Sequence, residues 1–454
     1  MSGLPKGWVT PEIGDLCALQ NGKAFKPSDW ATTGTPIIRI QNLNNKESMF
    51  NYFNGEIENR FEIKNDDLLF AWSGTPGTSF GAHIWDGGRA VLNQHIFRID
   101  FNELTIYKPY FRYAINQKLD QLINQAHGGV GLAHVTKGKF EKTQIPLPPL
   151  PEQRRIVAKI ESLAARSKRA RADLTRVERL VETAKQAVVQ AAFSNISFSL
   201  PLKEIITEGP SNGWSPKGGP DATGTRTLKL SATTLGYFRC DDAAIKRIYE
   251  HVDVDSKFWL LPGDILIQRA NSLEYVGVTA IYTGPPNTFI YPDLMMRIRA
   301  KTSEDAIYIW RYLSSLGARE YFRSHATGTA GNMPKINGQT VREFMVPWPE
   351  PPERLEIVRR IEAAFARLDA LAAEARKAAH LLAKLDQAVL AKAFRGELVP
   401  QDPDDEPAEV LLARIRAERA AAGTAKAKAK AKAAPSDAPP PGAKPRRGRP
   451  PRSA

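Results

Sequence analysis

Arg39, Gln41, Asn42, Asn44, Asn45 and Lys46 fall within one short stretch, RIQNLNNK. Arg and Lys hydrogen-bond guanine edges in the major groove of duplex DNA, and Asn and Gln hydrogen-bond adenine edges. A second stretch offers the same chemistry in another order: Arg226, Lys229 and Ser231, then Gln268, Arg269, Asn271 and Ser272. Lys23, Lys26, Trp72, Ser73, Lys137 and Lys335 complete the candidate DNA-contacting set. A solvated strand edge with a polar turn has the same composition, so residue type alone does not decide the matter.

Chemistry that breaks bonds is harder to place. The chain has no G-x-x-x-x-G-K-[ST] phosphate loop. SGTPGTSFG (Ser73–Gly81) is glycine-rich without the following Lys-Ser/Thr, and reads as a turn that can approach a phosphate through its amides. His127 and His134 in HGGVGLAH lack metal-ligand spacing, which leaves a structural or DNA-facing role. Pro292–Asp293 resembles the opening of a nuclease metal site, but Arg299–Ala300–Lys301 stands where acidic-x-Lys is required. Neither the Asn/Asp-Pro-Pro-aromatic motif of amino-methyltransferases nor a Gly-rich cofactor loop after a strand occurs. The expectation is binding without catalysis, and no metal or cofactor held by this chain.

Composition points the same way. The net charge of +14 and the pI of about 9.6 favour a polyanionic partner, nucleic acid first. A hydrophobic share of 42% over 454 residues is enough for two or three cores. Cys17 and Cys240 are the only cysteines, too few for a zinc cluster and unpromising as a disulfide framework. No apolar run reaches the roughly 18 residues of a membrane span, and MSGLPKGWVT lacks a signal-peptide core. These features suggest a reducing cytoplasm.

The elements that must position the candidate residues are written twice. IPLPPLPEQRRIVAKIE (Ile145–Glu161) returns as VPWPEPPERLEIVRRIE (Val346–Glu362), 201 residues later. From Pro151 and Pro352 the two copies run 43 residues without a gap, to Phe193 and Phe394, with 15 identities. No internal Pro or Gly interrupts either copy, and Ala, Leu, Glu, Lys and Arg dominate, so each is predicted helical. Each helix would be about 64 Å long.

Apolar steps of four and three mark a heptad seam. It runs from Ile156 and Ile160 to Val188 and Ala191 in one copy, and through Ile357, Ile361, Leu371 and Leu385 to Val389 in the other. Two such helices most simply bury their seams against each other. The prolines before them keep the junction extended.

Shorter duplications precede each helix. NDDLLFAWSG resembles PGDILIQRAN, and GTPIIRIQNL resembles GTRTLKLSAT. Alternation in IIRIQ predicts a strand with Ile38 and Ile40 inward and Arg39 and Gln41 outward. In LKLS, Leu228 and Leu230 would face inward. Helices are expected near Tyr107–Asn124 and Glu304–Arg323. The plan is globular unit, long helix, globular unit, long helix, with mixed α/β units.

After the second copy, Gly396 should end the helix, and a short helix should carry Val410, Leu411, Leu412 and Ile415 on one side. That stripe would pack on this chain's own coiled coil or dock to another subunit. From Ala421 the chain is low-complexity and is expected to be disordered. Arg447–Gly448–Arg449–Pro450 resembles an AT-hook core, able to lie in a narrow minor groove. A generic polycationic tail is the plainer reading.

With LPKGW near the start, the doubled junction, and AFRGELVPQDPDDEPAEVLLARI near the end, the chain resembles the specificity subunit of type I restriction–modification enzymes over residues 1 to about 420. The second copy departs from the pattern, with Arg354 and Leu355 in place of Gln153 and Arg154 and no LPKGW equivalent.

The resemblance implies an α+β chain with an internal pseudo-twofold repeat. Two target-recognition domains, residues 1–150 and 194–351, would be joined by two long helices, residues 151–193 and 352–395. The helices would form an antiparallel coiled-coil spacer. Residues 396–420 would serve subunit docking, and residues 421–454 would form a basic tail.

The implied partners are double-stranded DNA, two methyltransferase subunits and restriction/translocase subunits. S-adenosylmethionine, ATP and Mg²⁺ would sit on those subunits. Docking would fall on Glu152, Ile156, Glu353, Ile357, Phe394, Val410, Leu411 and Ile415. A methylation-only specificity subunit and a DNA-bridging coiled-coil protein without sequence preference are the alternatives. The bridging protein would need similar polar faces on its two units, and these differ.

Overall fold

A computed structural model describes residues 3–45, 48–74, 80–124, 133–219, 221–328 and 333–432. The chain divides into two compact units, Met1–Arg169 with Leu382–Ala454, and Ala170–Leu381. The long helices span Leu150–Phe193 and Pro351–Arg395, and each contributes to both units. They pair antiparallel. Lys185 Nζ lies 2.6 Å from Asp369, while Glu178, earlier in the first helix, pairs at 3.6 Å with Arg376, later in the second.

The first helix buries or half-buries its predicted seam from Ile156 to Val188. In the second helix Leu371 and Leu385 are instead 53% and 51% exposed, and Ala372 turns inward. The rest of the predicted seam is kept, with Ile357, Ile361 and Ala375 buried and Leu368, Ala378, Leu382 and Val389 half-buried. Gly396 follows the second helix at φ +75°, the left-handed cap that glycine adopts without strain.

Each unit is built on a four-stranded antiparallel sheet of the same order. In the first unit the strands run Ala18–Asn21, Ile96–Asp100, Leu68–Ala71, Gly81–Ile84. In the second they run Ile206–Asn212, Met295–Ala300, Ile265–Gln268, Thr279–Ile281. Leu69 faces Arg98 and Leu266 faces Arg297, so Ala71 and Gln268 are counterparts. A smaller element also repeats. Thr35–Ile38 pairs antiparallel with Asn51–Phe53 and parallel with Ala90–Leu92. Arg226–Leu228 pairs antiparallel with Ile245–Arg247 and bridges in parallel to Ile290.

The expected helical stretches are each two helices: Lys108–Gln117 and Leu119–Asn124, then Ser303–Leu313 and Leu316–Ser324. They cover the sheets. Phe70, Phe97, Phe111 and Phe140 pack with Ile156, Ile160 and Phe394 in the first unit. Ile265, Tyr308 and Phe322 pack with Phe193, Ile357 and Ile361 in the second. Each such side chain contributes about 1.5–3 kcal/mol of burial.

Three expectations need correction. The strand in IIRIQ ends at Ile38, and Ile40–Asn44 is helical. Asn42 causes the switch: its Oδ1 accepts from the Arg39 amide at 3.1 Å, a local bond that competes with strand pairing. The strand in LKLS likewise ends at Leu228, and Leu230–Ala232 is a 3₁₀ turn. The C-terminal helix is not short: it spans Ala408–Lys432, through the Ala-Lys repeat expected to be disordered. Ala and Lys are strong helix formers, and no Pro occurs between Pro407 and Pro435.

Candidate nucleic-acid interface

In the first unit the candidate residues gather around an aromatic group. The Lys23 ammonium lies 4.7 Å from the Phe53 ring centre, and Phe53 meets Phe25 edge-on at 5.2 Å. The half-buried Arg39 guanidinium sits 5.5 Å from the ring of Trp30, itself 44% exposed. Cation–π contacts of this kind hold a charge in place without neutralising it. Arg39 Nε is shielded and meets no acceptor among the described residues. Gln41, Asn44 and Lys26 are exposed.

Asn42 is not a reader. It is buried, and its amide donates to Ser48 and Met49 carbonyls at 3.3 and 3.4 Å. Ser73 is buried in the strand pair Ser73–Gly74 with Ala133–His134. Trp72 is half-buried against Phe97 at 5.8 Å and His95 at 5.3 Å. Lys137 is exposed, with Nζ 3.3 Å from the Leu19 carbonyl and 3.7 Å from Glu141. Lys46, His127, residues 75–79 of the glycine-rich turn, Arg447 and Arg449 lie outside the described residues.

In the second unit Arg226 faces Arg247 directly across a strand pair, and both are exposed. Like charges directly opposite each other destabilise a bare pair, and a bound phosphate reverses that sign. The sequence reading missed Arg247, because its partner strand carries no alternation. Lys229 Nζ and Ser231 Oγ both donate to the Ala243 carbonyl, each at 3.2 Å. Arg269 Nη1 donates to the Asp293 carbonyl at 3.3 Å, and Asp293 itself accepts from Ser215 at 2.5 Å. Ser272 and Lys335 are exposed.

Two polar residues of this unit face inward. Gln268 is fully buried, and the Asn271 amide donates to Gln268 Oε1 at 2.5 Å. Their polar type suggested readers, but GDILIQ also reads as a buried strand, and every residue of Ile265–Gln268 is buried.

The docking candidates divide similarly. Ile156, Phe394, Leu411 and Ile415 are buried in the first unit's core, and Ile357 in the second's. Glu152 is also buried and accepts from the Trp8 indole at 2.9 Å. Burial pushes its carboxyl above the ordinary range, against that hydrogen bond. Glu353 and Val410 stay exposed. The C-terminal helix therefore packs on its own chain, with Arg416 paired to Asp15 at 2.9 Å.

The junction itself repeats in its linker contacts. Tyr110 and Tyr308 each donate to a linker carbonyl, Pro146 and Pro347, at 2.8 Å. Burial pushes both phenols up, which keeps them neutral donors. Gln153 grips the Pro148 carbonyl at 2.9 Å and accepts from the Tyr107 amide at 2.9 Å. Arg354, its counterpart, grips the Pro349 carbonyl at 2.6 Å and pairs with Asp305 at 2.9 Å.

A duplicated α/β scaffold with unlike cationic and amide side chains on its two units, each joined to a long helix, is the class that fold and site define. Comparison with known proteins makes that class specific. Residues 5–179 match the family model for the type I restriction modification DNA specificity domain. The EcoKI type I restriction enzyme specificity subunit of Escherichia coli K12 is 27% identical, covering 93% of this chain and 98% of its own.

Two solved structures have the same fold. A chain from a study of the complex assembly and conformational transition of the type I R-M system superposes with a TM-score of 0.66 at 20% identity, covering 88% of this chain and 100% of its own. The HsdS subunit of Thermoanaerobacter tengcongensis gives 0.54 at 19% identity, covering 87% and 98%. Over nearly its whole length the chain is thus similar to type I restriction–modification DNA specificity subunits, with the family's DNA specificity domain matched over residues 5–179. No helix among its described residues is long and apolar enough to cross a membrane.

Proposed function

We propose that this chain reads a bipartite duplex target, one half-site per unit, across a gap of unspecified sequence. It directs two adenine-methyltransferase subunits and the restriction/translocase subunits to that target, in the cytoplasm, and performs no bond chemistry itself. S-adenosylmethionine, ATP and Mg²⁺ belong to those partners. The observation that carries this reading is the repeat of sheet order under unlike polar side chains, with the half-buried Lys23 and Arg39 and the exposed Gln41 on one unit and the exposed Arg226, Arg247 and Ser272 on the other. A common scaffold with separate readers suits two different short sequences. Two helices that each run through both units are the elements that would set the gap. Phosphate contacts from the cations supply salt-sensitive affinity, and base contacts supply the choice of site.

The test is selection from a random duplex library by the chain co-purified with its methyltransferase subunit at moderate salt. Two short enriched blocks with a constant unenriched gap are expected. Binding with no enriched sequence would refute the reading.

A further inference from the structure

Gln268 ends the strand Ile265–Gln268 with its side chain fully buried. Its Nε2 donates to the Leu230 carbonyl at 3.0 Å, with Thr233 and Thr234 hydroxyls at 3.1 and 3.2 Å. Its Oε1 accepts from Asn271 at 2.5 Å. One amide thus joins two loops, each bearing candidate readers. The first, residues 229–237, exposes Ser231, Leu235 and Tyr237; the second, residues 269–276, exposes Ser272 and Leu273.

The second loop is held from its other side as well. Arg319 donates to the Val276 and Glu274 carbonyls at 2.8 and 2.6 Å, and Arg323 to Glu274 at 3.1 Å. Burial brings the Arg319 pKa down to about 10. Asn271 completes the loop by accepting from the Ser272 amide at 2.8 Å. Buried polar groups are costly unless fully bonded, and fully bonded networks fix one geometry.

The scaffold does not require this clamp. At the register-equivalent position the first unit has Ala71, equally buried. The glutamine therefore serves what differs between the units, namely the loops, rather than what they share.

We propose that Gln268 is the positioning residue of the second unit's base-reading surface, coupling loops 229–237 and 269–276 into one rigid reader without touching a base. This rests on the reading of the units as half-site readers. The amide suits the task because it donates to one loop and accepts from the other. A carboxylate cannot donate to the Leu230 carbonyl, and a thioether cannot donate and accepts only weakly.

The experiment is library selection and competition binding with the full chain and its methyltransferase subunit, using Gln268→Met, Asn271→Ala, and the double variant Thr233→Val/Thr234→Val. Gln268→Met is expected to lose about tenfold or more discrimination at several bases of one block. The other block and the affinity for unrelated duplex should stay unchanged. Asn271→Ala and the threonine pair should each blur a different part of that same block. If Gln268→Met lowers the melting temperature, the other two variants still report the two halves of the clamp. An unblurred block in all three variants, or equal loss in both blocks, would overturn the proposal. A wild type that enriches no sequence would overturn the half-site reading itself, and this inference with it.

Discussion

The first turn of each long helix is fastened to its unit at equivalent places by different chemistry. In the first unit a neutral Gln153 bridges the Pro148 carbonyl and the Tyr107 amide. In the second, the cationic Arg354 bridges the Pro349 carbonyl and the Asp305 carboxylate, with Trp348 4.1 Å below the guanidinium. The next contact diverges further, since Glu152 is buried under Trp8 while Glu353 is exposed. What is preserved is the role, a donor on the linker carbonyl, and not the residue type. At Asp67 and Asp264 both role and residue type are kept, since each carboxylate accepts a turn amide at 2.8 Å, from Lys64 and Leu261. Asp264 also holds Arg299 at 2.6 Å. The second unit leans more on paired charge, and its loss should be felt more.

The largest effect tests that difference directly. Arg354→Ala leaves the Asp305 charge without its partner and should cost about 3–5 kcal/mol, while Gln153→Ala should cost about 1–3 kcal/mol. Denaturant unfolding of the two variants measures both, and equal losses would break the comparison. A smaller effect is expected at the helix ends. Gly396→Ala must hold a left-handed residue, about 1–2 kcal/mol, and its Cβ would fall 2.2 Å from Pro5 Cγ. Asn195, the counterpart after the first helix, is exposed, and Asn195→Ala should change stability by less than about 0.5 kcal/mol.

The smallest effect is a pH dependence. Burial raises the Glu152 carboxyl, so its contribution is most favourable when protonated and is lost as pH rises through the raised value. Glu152→Gln should therefore gain on the wild type between acid and neutral pH in thermal melts. A constant difference across that range would contradict the burial argument.

The doubled junction was legible because prolines, a first-turn glutamate and an uninterrupted helical composition are local signals. The four-residue strands Leu68–Ala71 and Ile265–Gln268 show in the sequence as short apolar runs opened by an acidic turn. What misled was pattern at the limit of its reach. Three isoleucines in IIRIQ cannot show where a strand stops, and Asn42 stops it with one side-chain bond. Gln268 looked exposed because it is polar, yet its strand is covered on both faces. Leu371 and Leu385 fit the heptad yet are exposed, while Ala375 between them is buried. The Ala-Lys repeat was judged by its low complexity when its helix propensity prevailed.

The central claim is that the units read separately. Its most direct measurement is parallel library selection with Arg39→Ala/Gln41→Ala and with Arg226→Ala/Arg247→Ala, each co-purified with the methyltransferase subunit. Each double variant is predicted to blur one block, a different one in each case, and to leave the gap and the other block intact. Blurring of the same block by both, or of both blocks by either, would contradict the account.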